Sequence, residues 1–251
     1  MPYAVLLVVF VIVPLFVVVY YAFTTESGGF TFRNFADAFR EQNAFRVLMS
    51  SLLFALLTSV ICLAIAYPLA LILSNKKFNR SSITVMLFVL PMWINFLLRT
   101  LAIKNIFGDW ESYGAALIGS VYDFLPFMIL PIYTTLCNID KNLPEAAADL
   151  GGNSVITFLK VTLPLSVPGI LSGMIMVFMP TVSSFAITDI LGRDLRMFGG
   201  VIDGFFVSNN WNLGSALALI MLLLVGISVF VANIFAKKQG GIADVKNGGK
   251  W

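Results

Sequence analysis

The chain is organised around six long, mostly apolar stretches: Ala4–Phe23, Val47–Leu73, Ile83–Ile103, Ala115–Cys137, Leu165–Leu191 and Gly214–Ala236. About 20 such residues cross a bilayer, because a helix rises about 1.5 Å per residue and the hydrocarbon core is about 30 Å thick. The expected fold is therefore an all-α integral membrane protein with six transmembrane helices, forming one transmembrane domain over residues 1–251. Charge agrees with this: 12% of residues are charged, against roughly 25% in a soluble domain. The first stretch has no basic segment before it and no small-residue cleavage site after it, so it is expected to be retained as a helix.

The chain has no histidine. That excludes Ser-His-Asp and Cys-His nucleophiles and histidine metal cages. The glycine-lysine signature of a P-loop is also absent, so ATP chemistry of that kind has to come from another chain. Cys62 and Cys137 lie far apart without a C-x-x-C spacing and are read as small core residues. The net charge of +3 is modest and its basic residues are scattered, which argues against a nucleic-acid surface.

With both termini cytoplasmic, the short basic turn Asn75–Arg80 and the tail lysines Lys237, Lys238, Lys246 and Lys250 fall inside, as the positive-inside rule prefers. Arg33, Arg40 and Arg46 fall outside, on a segment whose Phe32, Phe35 and Phe39 predict an interfacial helix. The glycine-rich tail Gly240–Trp251 is expected to be mobile. Pro14, Pro68, Pro91, Pro126, Pro131, Pro168 and Pro180 lie inside the runs. Each removes a helical hydrogen bond, which suits a bundle that opens and closes but is also commoner in membrane helices generally.

One segment departs from the hydrophobic pattern, Asn138–Pro164 between the fourth and fifth runs. Pro144 and Glu145 predict a helix start, and a short helix Pro144–Leu150 follows. Gly151 and Gly152 predict its end. Asn153 or Ser154 is expected to cap a second helix, Val155–Leu163, which Pro164 breaks on entering the membrane. Ala146, Ala147 and Ala148 present a surface small enough for close approach to another protein, although they are also simply good helix formers.

The order Glu145-Ala146-Ala147, three residues, Gly151, nine residues, Val161-Thr162-Leu163-Pro164 resembles the EAA loop of type I ABC importer permeases, with valine where the pattern has isoleucine. That resemblance implies a MetI-like fold in a bacterial plasma (inner) membrane, with Pro144–Leu150 as the coupling helix. It implies that Pro144, Glu145, Ala146, Ala147, Asp149, Gly151, Leu163 and Pro164 form the docking and turning surface for an ATPase. The implied partners are a second permease subunit, two ATP-binding subunits that use ATP and Mg, and an extracytoplasmic binding protein. By the same resemblance this chain itself is expected to bind no cofactor or metal and not to be an enzyme.

Three further segments, Leu90–Arg99, Leu125–Tyr133 and Ile187–Asp189, are similar to the first permease of spermidine/putrescine importers, although permeases for iron, sulfate or thiamine share the layout. A charge near mid-bilayer costs about 2.5–3.5 kcal/mol and normally has a partner or a task. Asp123 and Asp189 supply carboxylates, and Trp93, Asn95 and Tyr133 supply aromatic and polar contacts, for a polyamine path. The plainer readings are an Asp189–Arg193 pair, Asp123 at a helix end in outer water, and Trp93 and Tyr133 as interface aromatics. Arg99 is expected to pair with a carboxylate or to snorkel outward. A self-sufficient channel or secondary transporter is the rival class, and neither inverted repeats nor several mid-span charges favour it.

Overall fold

The computed structural model describes residues 2–25, 28–40, 43–75, 83–108, 111–140, 142–192 and 195–246, and these are helical almost throughout. Helix α1 runs through Pro2–Leu7, a π-turn Val8–Ile12 and Val13–Ala22. The short α2 is Arg33–Arg40, and α3 is Ala44–Ser74. Helix α4 is Ile83–Val89, tightened to 3-10 geometry over Leu90–Trp93, and α5 is Phe96–Phe107. Then come α6, Tyr113–Asn138, and the loop helix α7, Asn142–Asp149. Helix α8 runs through Ser154–Thr157, a π-turn Phe158–Thr162 and Leu163–Ser183. The short helices α9, Ala186–Leu191, and α10, Phe198–Val207, precede α11, Trp211–Lys246.

Among the described residues, five helices are long and apolar enough to cross a membrane, and a bent pair makes a sixth. The predicted third span, Ile83–Ile103, is not one straight helix: its halves Thr84–Trp93 and Phe96–Ile106 meet at 95°. Pro91 brings no N–H to the ladder, Ile94 is extended, and the Asn95 side chain accepts from the Leu97 N–H at 2.9 Å to start the second half. The predicted fifth span, Leu165–Leu191, likewise stops at Ser183. There the Ser183 hydroxyl competes for the Met179 and Pro180 carbonyls, and Ser184 is extended.

Pro164 does not break the helix that carries it. The Leu163 N–H reaches back five residues to the Phe158 carbonyl, and the chain continues as one helix from Ser154. The same device precedes Pro14, where the Val13 N–H bonds Val8. A proline ring clashes with the carbonyl four residues before it, and a π-turn widens the helix at that carbonyl. The last helix extends through Gly240 to Lys246, so the expected mobile tail is helical there, since extending an existing helix adds one bond per residue ordered. Residues 247–251, with Lys250 and Trp251, lie outside the described residues, as do Lys76, Lys77, Arg80, Lys141 and Arg193.

Helix α6 is central, packed on α3 and α8. Cys62, Ala66 and Ala70 of α3 meet Met128, Ile129 and Ile132 of α6 and Val177 of α8. Cys62 is buried as expected, whereas Cys137 is exposed on the last turn of α6. Gly169 and Gly173 allow α8 to lie directly on α6. A Cβ on Gly169 would meet Thr135 Oγ1 at 2.5 Å and the Pro131 carbonyl at 2.8 Å, and one on Gly173 would meet Met128. Small residues four apart are the usual means of close helix approach in lipid, where hydrophobicity does not drive association.

The end of the bundle that carries the α1–α2 connection is fastened by side-chain amides. Asn34 of α2 donates to the carbonyls of Ala22 at 2.9 Å and Thr24 at 2.8 Å, and Asn212 of α11 donates to those of Tyr21 and Thr24. Together they satisfy carbonyls that the end of α1 leaves without intrahelical partners. Phe32 meets the rings of Phe23 and Phe30 edge to face, and Phe35 lies tilted against Phe23. Asn34→Ala is expected to destabilise the protein by about 1–3 kcal/mol through those buried carbonyls. Thermal unfolding of the purified complex, beside the exposed control Thr134→Ala, measures it.

Helix α10 was not anticipated from the sequence, because its Phe-Gly-Gly start reads as a loop. Its first N–H, on Phe198, donates to the Ser51 hydroxyl at 2.8 Å, and Gly199 is packed so closely on Ser183 that a Cβ would collide with that residue's carbonyl.

Candidate functional site

The loop between α6 and α8 turns on a complete glycine cap. The Gly152 N–H donates to the Ala147 carbonyl at 3.0 Å and the Gly151 N–H to the Ala148 carbonyl at 2.9 Å, the paired bonds of a Schellman motif. Gly151 has φ +83° and open space where a Cβ would stand, so its requirement is conformational. Gly152 is sterically required, since its Cβ would lie 2.6 Å from the Ala147 carbonyl. Of the two capping candidates, Asn153 is the cap: its Oδ1 accepts from the Ile156 N–H at 2.8 Å.

Helix α7 begins at Asn142, two residues before the expected Pro144, because Asp140 Oδ1 already accepts from the Asn142 N–H at 3.0 Å. Pro144 is then the third helical residue, still within the first turn, whose N–H groups have no partner to lose. Glu145, Ala146, Ala148 and Asp149 are exposed, and Ala147 is half-buried. Leu150 is 90% exposed, and Leu143, Val155, Ile156 and Leu159 are exposed beside it. Leu163 is half-buried and Pro164 exposed where α8 leaves the loop. The loop is thus held rigidly from within while it presents leucine, alanine and carboxylate outward.

The second site is an open cleft of about 500 Å³ where the bent α4–α5 pair faces α6 and the end of α8. Trp93, Asn95, Phe96, Arg99, Asp123, Phe124, Phe127, Ser183 and Ser184 are among its walls. Trp93 is 84% exposed at the rim. Asp123 is not at a watery helix end: it is 1% exposed, beside Arg99 at 8%, with Arg99 Nε 3.2 Å from Asp123 Oδ1. Thr100 Oγ1 donates to the other carboxylate oxygen at 3.1 Å. Of the two expectations for Arg99, pairing with a carboxylate is the one observed. The 95° bend makes the site, since it turns α5 so that Arg99 faces α6.

Asp189 lies elsewhere, exposed on α9 beside a hollow of about 280 Å³ shared with Arg196, Met197, Gly200 and Val201. Partial desolvation, and then the charge of Asp203 on α10, push its carboxyl above the usual range. The alternative partner Arg193 lies outside the described residues. Tyr133 stands ten residues beyond Asp123 on α6, about 15 Å along the helix, and packs around the core rather than in the cleft. The structure therefore brings Trp93, Asn95 and Asp123 together and leaves Asp189 and Tyr133 apart. Arg99, Ser183, Ser184 and Asp203 were not among the expected path residues. Arg99 alone carried a signal, as a charge within an apolar run.

No family model matches the chain. The spermidine/putrescine transport system permease protein PotB of Haemophilus influenzae is 33% identical over 253 residues, covering 90% of this chain and 88% of that protein. The protein of the same name in Escherichia coli is 30% identical over 254 residues, covering 90% and 92%. Among solved structures, a bacterial ABC transporter involved in import of the acidic polysaccharide alginate aligns with a TM-score of 0.70 at 14% identity, covering 95% of this chain and 93% of that chain. The inward-facing methionine ABC transporter MetNI aligns at 0.64 with 17% identity, covering 78% and 95%. At those identities the structures support the fold, which is that of ABC importer permeases. The identity and coverage of the curated relatives carry the assignment: the chain belongs to the PotB family of ABC importer permeases, multi-pass proteins of the inner membrane that work with ATPase and binding-protein subunits.

Proposed function

We propose that this subunit moves polyamines delivered by an extracytoplasmic binding protein. In this reading it pairs with a second, different permease subunit above two ATP-binding subunits. Both termini are cytoplasmic, ATP and Mg act on the partner subunits, and this chain performs no catalysis. The observation that carries the reading is the loop Asn142–Leu163: a glycine-capped helix whose outward face is alanine, leucine and carboxylate, suited to a groove on an ATPase. In the type I importer layout, Pro144, Glu145, Ala146, Ala147 and Asp149 make the contact, and Gly151, Leu163 and Pro164 set the direction in which its motion enters α8.

The substrate class follows from the names of the relatives and from the chemistry of the two outer sites. A polyamine is a string of ammonium groups joined by methylenes, so it needs carboxylates separated by aromatic and apolar wall. Asp189 borders the outer hollow opposite Arg196 and feels the charge of Asp203, and Trp93, Asn95 and Asp123 line the cleft further on. Mutual repulsion of the two outer carboxylates is relieved by a bridging cation.

The reading is tested by ATP-driven uptake into proteoliposomes holding the full complex, with spermidine, putrescine, sulfate, iron and thiamine offered in turn with their binding proteins. Polyamine-specific uptake is expected. Transport of another solute alone refutes the substrate class, and proton-driven uptake without the ATPase refutes the importer mechanism. Asp189→Asn is expected to lower the spermidine uptake rate about 5- to 20-fold, the loss of one charge-assisted contact. Because the Asp189 carboxyl is raised, its cation capture also fades on acidification at a higher pH than an ordinary carboxylate would allow. A pH series on wild type and variant measures both, and identical profiles remove Asp189 from the path.

A further inference from the structure

The Arg99–Asp123 pair is deeply placed and poorly satisfied. Arg99 Nε lies 3.2 Å from Asp123 Oδ1, yet among the described residues Arg99 Nε, Arg99 Nη1 and Asp123 Oδ1 form no hydrogen bond. The charges touch without alignment of donor and acceptor. A buried pair recovers its lost hydration only when geometry is good and the remaining donors and lone pairs are filled. By that standard this pair is exchangeable, and both of its members border open space.

The two borders differ in chemistry. On one side is the 500 Å³ cleft, where Asp123 and its partner Arg99 lie among Phe96, Phe124, Phe127, Ser183 and Ser184. On the other is a separate groove of about 460 Å³, lined by Leu98, Ile103, Ile106, Ile118 and Tyr122, with Arg99 in its wall. The guanidinium already stands 6.0 Å from the Tyr122 ring centroid, at the edge of cation-π range. Asp123 Oδ2 is kept in place by Thr100, on the turn that also carries Arg99. The carboxylate is thus fixed, and its partner has room to leave toward an aromatic face.

We propose that Arg99 is a tethered counter-ion, which a primary ammonium group of the transported amine displaces from Asp123. The inference rests on the polyamine reading above. The incoming ammonium takes the carboxylate from the cleft side, its methylenes lie on Phe124 and Phe127, and the guanidinium moves into the groove beside Tyr122. No bond is made or broken and the resident charges are conserved, so the site opens to a cation without leaving a bare buried carboxylate when empty. Arg99 then limits affinity, and substrate is released when the guanidinium returns.

The test is equilibrium binding of labelled spermidine to the purified permease–ATPase complex, without the binding protein, whose own affinity would otherwise dominate. Arg99→Met is expected to bind at least 10-fold more tightly than wild type, since the carboxylate has lost its competitor. The double variant R99M/D123N is expected to bind at least 10-fold more weakly than Arg99→Met and more weakly than wild type. It removes both charges together, a replacement that buried pairs often tolerate without loss of stability, so it reports even where the single variant fails to assemble. Equal affinity in wild type and double variant overturns the displacement and leaves the pair a structural one. A wild-type complex that binds and transports no polyamine overturns the substrate reading and this inference together, whereas wild-type polyamine transport with unchanged affinity in the double variant overturns this inference alone.

Discussion

Gly151→Val is expected to abolish uptake, by about 100-fold or more, while nucleotide binding by the ATPase subunits stays normal. The reason lies in the backbone. Gly151 has φ +83° with nothing near its absent Cβ, so a larger side chain meets no neighbour but is forced into a left-handed conformation. For a β-branched residue such strain is on the order of 1–3 kcal/mol. The chain escapes it by abandoning the two cap bonds to Ala147 and Ala148, and α7 then loses its fixed direction relative to α8. A coupling helix that points elsewhere docks poorly and transmits nothing. Gly151→Asn separates direction from bulk, because asparagine tolerates the left-handed region; it should keep most of the uptake. Transport at the wild-type rate in Gly151→Val would remove α7 from the coupling role.

Gly169→Val is expected to prevent the subunit from accumulating as a folded complex. Helices α6 and α8 touch backbone to backbone at this point, and the first added carbon already lies 2.8 Å from the Pro131 carbonyl. Backbone does not yield as a side chain does, so the cost exceeds the about 1–3 kcal/mol of ordinary overpacking. Gly173→Ala should be milder, since the nearest atom is the flexible Met128 sulfur at 2.7 Å. Gly226→Ala, with nothing within 4 Å, should be neutral or slightly stabilising through helix propensity. The yield of folded complex, and the midpoint of thermal unfolding wherever a complex forms, should rise in that order. If the Gly169 and Gly226 variants unfold alike, the close approach of α6 and α8 does not hold the bundle.

The apolar runs and the loop chemistry were legible because each is local: a run of 20 residues shows its own length, and a glycine pair after an alanine helix shows its own turn. The bend at Ile94–Asn95 was not. Pro91 resembles Pro126 and Pro131, which α6 carries without breaking, and the difference lies in Asn95 four residues later, free to cap a new start. Helix α10 was hidden because Phe198, Gly199 and Gly200 have loop composition and become helical against Ser51 and Ser183. The partner of Asp123 was hidden for another reason. Arg99 lies 24 positions away on a helix whose direction is set by that bend, and no spacing rule connects the two.

The π-turn Phe158–Thr162 amounts to one residue more than an α-helix would use in the same length. At 3.6 residues per turn, one residue is about 100° of rotation. The loop face of α8 is therefore offset by roughly that angle from the face set by Gly169 and Gly173 further along the same helix. Deleting a single residue there would leave both ends intact, yet turn the loop face about a quarter of a circle relative to the face that packs on α6. Under the proposed coupling role, register along one helix, rather than contact across an interface, sets which way this subunit is pushed.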